Sequence, residues 1–371
     1  MHIRQVETFH ASIPLNSPFK TALRTVTVAE TVVVKITCDN GIIGWGEAPP
    51  THVITGDSMA SITYAINNIF KPLLVGEAIL HYELLFEKID ASVIGNTSAK
   101  AAIDMAVYDC IAQHASMPLV QFLGGYTDQV ETDYTVSVNS AEEMADDAQQ
   151  YLGDGFSVLK VKVGKDTIDH DMKRIQAIRK RIGSRAKIRL DANQGWQAKE
   201  AVRAIRKMEE LDLNIELIEQ PVHKDDFEGL KYVTDNTATP IMADESVFSP
   251  DDAKRLLEMH AADLINIKLM KAGGIHHAMK MAKLAAVYGV TCMVGSMIET
   301  KIGITAAAHF AASQPNIRYC DFDAPLMLAG DLIEGGITYN GSKISLGAKA
   351  GLGIETVNPE FLADKLLHKY N

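Results

Sequence analysis

The chain has 371 residues, 47% hydrophobic and 22% charged, and 36 Lys and Arg stand against 47 Asp and Glu for a net charge of −11. This composition can bury a core and excludes a disordered or low-complexity chain. The acidic balance, without any run of five basic residues, argues against a nucleic-acid or membrane-surface partner, because phosphates are bound by clustered cations.

The opening MHIRQVETFHASIPL lacks the apolar run of a signal peptide, and no stretch of 18 apolar residues suggests a membrane helix. Cys38, Cys110, Cys292 and Cys320 form no CxxC pair, so reduced thiols in a cytoplasmic protein are expected. The segment TVVVKITCDNGIIGWGEA predicts two strands joined at Asn40-Gly41, a pair that accepts the positive φ angles of a tight hairpin. NTSAKAAIDMAVYDCIAQ offers capping residues followed by apolar residues at helical spacing. Residues 1–127 are therefore expected to form a small α+β capping domain. GIIGWG is not read as a phosphate-binding turn, because no helix follows it.

Across residues 128–326 the pattern changes. Eight short β-branched runs (DYTVSV, VLKVKVG, KIRLDA, IELIEQ, PIMADE, DLINIKL, TCMVGS and IRYCDFD) alternate with amphipathic stretches such as DMKRIQAIRKRI. One polar residue near the end of each run, Thr135, Lys162, Asp191, Glu219, Asp244, Lys268, Ser296 and Asp321, recurs every 24 to 29 residues. That is the length of a βα unit, and eight units close a parallel barrel. The fold class expected is α/β, a barrel with a cap. Residues 327–371 are glycine-rich and strand-like, with a second turn at Asn340-Gly341, and are expected to return to the cap.

In such a barrel the working groups stand at the C-terminal ends of the strands. Asp191, Glu219 and Asp244 end three consecutive strands. A single carboxylate there can simply cap the next helix, but three converging carboxylates repel one another unless a cation lies between them. An all-oxygen set selects a hard ion, Mg²⁺. Lys160 and Lys162 alternate along one strand and point to the same side; Lys268 ends the strand after Asp244. A cation at a substrate carboxylate acidifies the neighbouring C–H, and a neutral lysine could remove that proton. At the ordinary pKa only about 0.04% of a lysine is neutral at pH 7, so a catalytic lysine must be brought to ~7–8. Lysines on both faces of a planar intermediate would permit racemisation or epimerisation. Asp321 and Asp323 alternate along the last strand, either as caps before Pro325 or as a clamp for a cationic amine. Arg24, in PFKTALRTV, lies on an expected loop over the barrel mouth, where a guanidinium could fork a carboxylate. His276 and His277 are expected at the surface or as caps, and His309 as a packing residue. Asn193 and Glu245 closely follow the carboxylates as candidate partners.

K-V-K, L-D-A-N-Q-G-W, I-E-Q-P, A-D-E-S and N-I-K-L-M-K-A-G-G, in this order, resemble the muconate-lactonising branch of the enolase superfamily over essentially the whole chain. The resemblance implies a modified TIM barrel, (β/α)7β, with Mg²⁺ on Asp191, Glu219 and Asp244 and with Lys162 and Lys268 as opposed acid/base groups. It also implies that Lys160 holds the substrate carboxylate and depresses the pKa of Lys162. Dipeptide epimerases of this branch carry the D-x-D of Asp321 and Asp323 and use it for the free α-ammonium. TALRT, GWGEAPP, VITGDS, VGSMIETK and DFDAPLM are similar to those acting on L-Ala-D/L-Glu. This likeness implies that Arg24 receives the glutamyl side chain, that Thr135 and Ser296 line the site, and that the reaction serves cell-wall peptide recycling. A homo-oligomer is a further family expectation. An o-succinylbenzoate synthase or cycloisomerase of the same branch, and a non-catalytic barrel, are the alternatives.

Overall fold

A computed structural model describes residues 1–21 and 24–363. Three antiparallel strands open the chain: β1 (Ile3–Lys20), β2 (Thr25–Cys38) and β3 (Ile43–Ala48). The β2–β3 connection turns at Asn40-Gly41 as expected, with Gly41 at φ 87° and the Cys38 N–H bonded to Ile42 O at 2.9 Å. Helix α1 (Thr97–His114) lies beneath this sheet and is buried almost all round, since every residue from Ala101 to Ala112 is buried. β3 rests directly on it. A Cβ at Gly44 would lie 2.1 Å from Ala106 O, and one at Gly46 2.0 Å from Ala102 O, so the last two GIIGWG glycines serve strand–helix contact. The expected side-chain cap at Asn96 does not form. Asn96 sits at φ 49°, and the Ser98 N–H is taken by Asp57 Oδ2 at 3.0 Å.

Eight parallel strands follow: β4 (Tyr134–Val136), β5 (Val158–Lys162), β6 (Lys187–Asp191), β7 (Ile215–Glu219), β8 (Ile241–Ala243), β9 (Leu264–Lys268), β10 (Thr291–Gly295) and β11 (Ile317–Cys320). Each pairs with its sequence neighbours, and the curled sheet meets itself at a parallel bridge between Thr132 and Cys320. Each of the seven intervals holds a helix of 10 to 15 residues; among these are α2 (Ile275–Val287) and α3 (Lys301–Ser313). Directly after β11 comes the short 3-10 turn Ala324–Met327, and among the described residues no α-helix follows β11, which makes the alternation (β/α)7β. Residues such as Leu159, Val161, Ile188 and Leu190 are fully buried, while their alternates Lys160, Lys162, Arg189 and Asp191 share the opposite strand face. Leu217, Met242, Leu264 and Met293 pack together with Tyr319 beneath them, and Arg189 lies over the Tyr319 ring at 4.8 Å, paired with Asp133 (2.8 Å) and Glu216 (2.7 Å). An apolar floor thus underlies a polar mouth.

The remaining polypeptide forms the pair Ile333–Gly335 and Ile354–Val357, and a hairpin at Asn340-Gly341 that joins Gln129–Glu131. Leu362 and Ala363 pair with Ala11 and His10 of β1. Among the described residues no helix is long and apolar enough to cross a membrane.

Buried carboxylates of the cap hold the N-termini of barrel helices, where unpaired N–H groups need acceptors. Asp104 of α1 accepts the Ile275 (2.6 Å) and His276 (3.1 Å) N–H groups of α2, and a Cβ at Gly274 would lie 2.3 Å from its Cγ. Asp104→Ala is expected to cost on the order of 1–2 kcal/mol, the value of a lost helix cap, in the urea-unfolding free energy.

Candidate active site

The register sets the carboxylates level with one another. Lys162 pairs with Asp191 across β5–β6, and Asp191 with Glu219 across β6–β7. Asp244 follows β8 and Lys268 ends β9, so Lys162 and Lys268 stand four strands apart in a ring of eight, on opposite sides of the mouth. Lys162 Nζ lies 2.5 Å from Asp191 Oδ2, and Lys268 Nζ 2.8 Å from Asp244 Oδ2. Lys160 is 1% exposed and lies beneath the wall of the cleft, with Glu219 at 2.7 Å, Asp321 at 2.8 Å and Asp191 at 3.2 Å.

Above this row lies a cleft of about 590 Å³, including its open mouth. Barrel residues Thr135, Lys162, Lys268, Ser296, Asp321 and Asp323 line it, and the cap adds Phe19, Arg24, Val53 and Ile54. Asp323 Oδ2 accepts the Thr135 N–H at 2.6 Å, and the Ser296 hydroxyl donates to Asp321 O at 3.3 Å. Burial is the cause that shifts Arg24, lowering its pKa.

The electrostatics reflect crowding. Asp191, Glu219, Asp244, Glu245, Asp321 and Asp323 face four lysines (160, 162, 268 and 271), two positive charges short of balance. Burial, followed by Asp191, pushes Glu219 up to about 7; burial and then Asp244 push Glu245 up to about 8. Although burial opposes it, Lys268 and Lys271 hold Asp244 well below the carboxylate range. For Lys268 the shift is upward from the ordinary lysine value. Burial lowers it, but Asp244 and Glu219 outweigh burial and raise it. Lys160 is raised in the same way, chiefly by Asp321 against burial. Carboxylates outnumber ammonium groups here, which the linear sequence could not weigh.

A divalent ion fits this donor set. The groups are hard oxygens, carboxylates outnumber ammonium groups, and among the described residues the buried Asn193 Oδ1 and Glu245 Oε2 have no hydrogen-bond partner. Among the described residues no three His, Cys, Asp or Glu side chains are gathered closely enough to hold an ion as they stand, because lysine ammonium groups lie among the carboxylates.

Several supporting groups escaped sequence reasoning. Lys271, 1% exposed, donates to Asp244 Oδ1 and O (2.5 Å each) and to Asn266 O (3.0 Å). Asn266 Nδ2 donates to Glu219 Oε1 at 2.8 Å. Gln220, at φ 38°, accepts the Asp244 N–H (2.8 Å) and donates to the Ser246 hydroxyl (2.8 Å). The only signal for Lys271 was a second lysine in the NIKLMKAGG run. Asn193 donates to Glu245 Oε1 at 3.1 Å, so these two candidates are each other's partners. His276 is buried, not superficial: its ring lies 4.9 Å from that of Phe86 and 3.5 Å from the Tyr108 hydroxyl. His277 pairs with Asp90 at 2.7 Å. His309 is a packing residue as expected; its Nδ1 accepts the Val120 N–H at 2.9 Å, and burial brings it down to about 4.

The fold and its mouth define the class: a capped barrel enzyme with its polar groups at the strand C-terminal ends. Residues 3–124 match the mandelate racemase/muconate lactonizing enzyme N-terminal domain, and residues 143–360 the enolase C-terminal domain-like family. The chain belongs to the enolase superfamily, in its mandelate racemase/muconate lactonizing group. It is 63% identical to the L-Ala-D/L-Glu epimerase of Bacillus subtilis, across 95% of this chain and 97% of that one. The substrate-liganded structure of the Bacillus subtilis L-Ala-D/L-Glu epimerase superposes with a TM-score of 0.96 at 62% identity, covering 96% of this chain and all of that one. A dipeptide epimerase from Enterococcus faecalis complexed with Mg and L-Leu-L-Tyr gives 0.93 at 43% identity, covering 96% of this chain and all of that one.

Proposed function

We propose that the enzyme epimerises dipeptides at the α-carbon of the C-terminal residue, with L-Ala-D/L-Glu preferred, and that Lys162 and Lys268 exchange the α-proton from opposite faces. The observation that carries this reading is the placement of those two lysines on diametric strands, each against one end of the carboxylate row.

Asp191, Glu219 and Asp244 would hold Mg²⁺, which when bound supplies Lewis-acid stabilisation of negative charge on the substrate carboxylate. The chain's own residues do the rest. One lysine, in its neutral form, takes the α-proton; the other, as ammonium, delivers a proton to the far side of the planar carbanion. The roles reverse for the opposite direction. In the free arrangement both lysines are tied to carboxylates, Lys162 to Asp191 and Lys268 to Asp244. Engagement of those carboxylates elsewhere removes what raises Lys268, leaving burial to favour its neutral form. Asp321 and Asp323 receive the α-ammonium at the end of β11, between Thr135 and Ser296. Arg24, brought over the mouth by the cap, forks the glutamyl carboxylate. The apolar cap residues Phe19, Val53 and Ile54 exclude water from the reacting carbon. The similarity to epimerases that bind dipeptides supports this assignment, and the clamp argues against an amine-free cycloisomerase substrate.

The test is incubation with Mg²⁺ and L-Ala-L-Glu in D₂O, with the glutamyl Cα proton followed by NMR. Deuterium uptake with inversion is expected, lost on adding EDTA, and slower with L-Ala-L-Leu. Retention of the α-proton in the presence of Mg²⁺ would refute the proposal.

A further inference from the structure

Two buried carboxylates stand apart from the lysine-lined row. Glu47 lies on β3 of the cap and is 0% exposed. Glu299, 1% exposed, lies between β10 and α3, in the segment whose Ser296, Met297 and Ile298 form one wall of the cleft. Glu47 is well supplied with donors: its Oε1 accepts the Gly303 N–H at 2.7 Å and its Oε2 the Thr300 hydroxyl at 2.8 Å. Glu299 is not. Its Oε1 accepts the Met297 N–H at 2.8 Å, while its Oε2 has no partner among the described residues. That orphan oxygen and Glu47 meet at Gly303. A Cβ there would lie 2.4 Å from Glu299 Oε2 and 2.6 Å from Glu47 Oε1, so the two oxygens are at most about 5 Å apart.

We infer that Glu47 and Glu299 hold a single proton between them, and that this acid–carboxylate pair is the positioning element that fixes the Ser296–Ile298 wall against the cap. Two ionised carboxylates at this separation, both shut away from water, would repel strongly. One proton turns Glu299 Oε2 into a donor, which gives the orphan oxygen a use. It leaves one negative charge for the Thr300 and Gly303 donors at the N-terminus of α3. The titration agrees with the geometry. Burial and then the charge of Glu47 push Glu299 up to about 8, and burial pushes Glu47 up to about 7. The other charged group acting on Glu299 is Lys268 of β9, which works in the opposite direction. Loss of the proton places two like charges behind the wall and loosens it, which weakens substrate binding.

The inference uses the epimerase reading only for its kinetic readout. Infrared difference spectra at pH 7, wild type minus Glu299→Gln, are expected to show the stretch of a protonated carboxyl group. Between pH 5 and 8 the native pair keeps a proton that unfolded glutamates have lost, so native stability falls as pH rises through this window. Glu299→Gln removes the Glu299 share of that slope, while burial still raises Glu47, so its Tm relative to wild type is expected to rise by about 2 °C per pH unit up to pH 8 and then level off. The wild-type KM should increase at least about threefold more than the variant's between pH 7 and 9; comparing the two cancels titration of the substrate amine. A featureless carboxyl region or parallel melting profiles would overturn the inference. If Glu299→Gln fails to fold, Glu47→Gln carries the same comparisons. If no dipeptide is turned over, the infrared and melting measurements decide alone.

Discussion

Replacing either Lys162 or Lys268 by alanine is expected to stop inversion of the glutamyl α-carbon, with kcat falling roughly 10²–10⁴-fold, the usual contribution of a positioned acid or base. The two variants should differ in what survives. With Lys162 gone, Lys268 can still exchange the proton of the stereoisomer that presents its C–H to β9, and with Lys268 gone the other stereoisomer keeps exchange at β5. Each variant should therefore show deuterium uptake into one diastereomer only, read by NMR on L-Ala-L-Glu and L-Ala-D-Glu separately. The diametric placement of the two strands is the basis of this expectation, since no single side chain reaches both faces of a planar centre. Inversion at the wild-type rate in either variant would remove the two-base assignment.

The second large effect concerns the amine clamp. Asp321→Asn is expected to lower kcat/KM for L-Ala-L-Glu by at least about 100-fold, as removing one partner of a buried ion pair costs roughly 3–5 kcal/mol. N-acetyl-L-Ala-L-Glu, which has no ammonium group, should be handled alike by variant and wild type. The two aspartates have been driven apart in acidity. Burial would raise Asp321, but Lys160 and Lys162 hold it down at about 2, whereas burial and the charge of Asp321 push Asp323 up to about 7. Asp323 therefore gains its charge as pH rises through neutrality. KM for the dipeptide should fall between pH 6 and 8, while that of the acetylated analogue stays level over the same range. A pH-independent KM for both compounds would show that Asp323 does not bind the amine.

Much of the architecture was legible because it is written in local periodicities. Alternation along VLKVKVG put Lys160 and Lys162 on one face, and the recurrence of a polar strand end every 24 to 29 residues counted eight βα units before any contact was known. That no α-helix follows β11 among the described residues, which makes the barrel (β/α)7β, came only through the family likeness. Other features were hidden because they depend on what a distant segment brings. Asn96 looked like a cap, but Asp57 supplies the acceptor at the start of α1 instead. His276 looked superficial, yet Phe86 and Tyr108 of the cap cover it. Lys271 was one basic residue among several until the turn after β8 placed the Asp244 carboxylate and carbonyl against its Nζ.

The sequence alone determined the order of strands and helices and which polar side chains end each strand, since helical and strand periods are properties of neighbouring residues. Tertiary structure decided the charge state of those side chains. The pull on Lys268 is a balance of burial against Asp244 and Glu219, and Glu299 meets Glu47 from the other domain across Gly303. Electrostatic energy sums over groups close in space, and spatial neighbours drawn from opposite ends of the chain leave no mark in its local pattern.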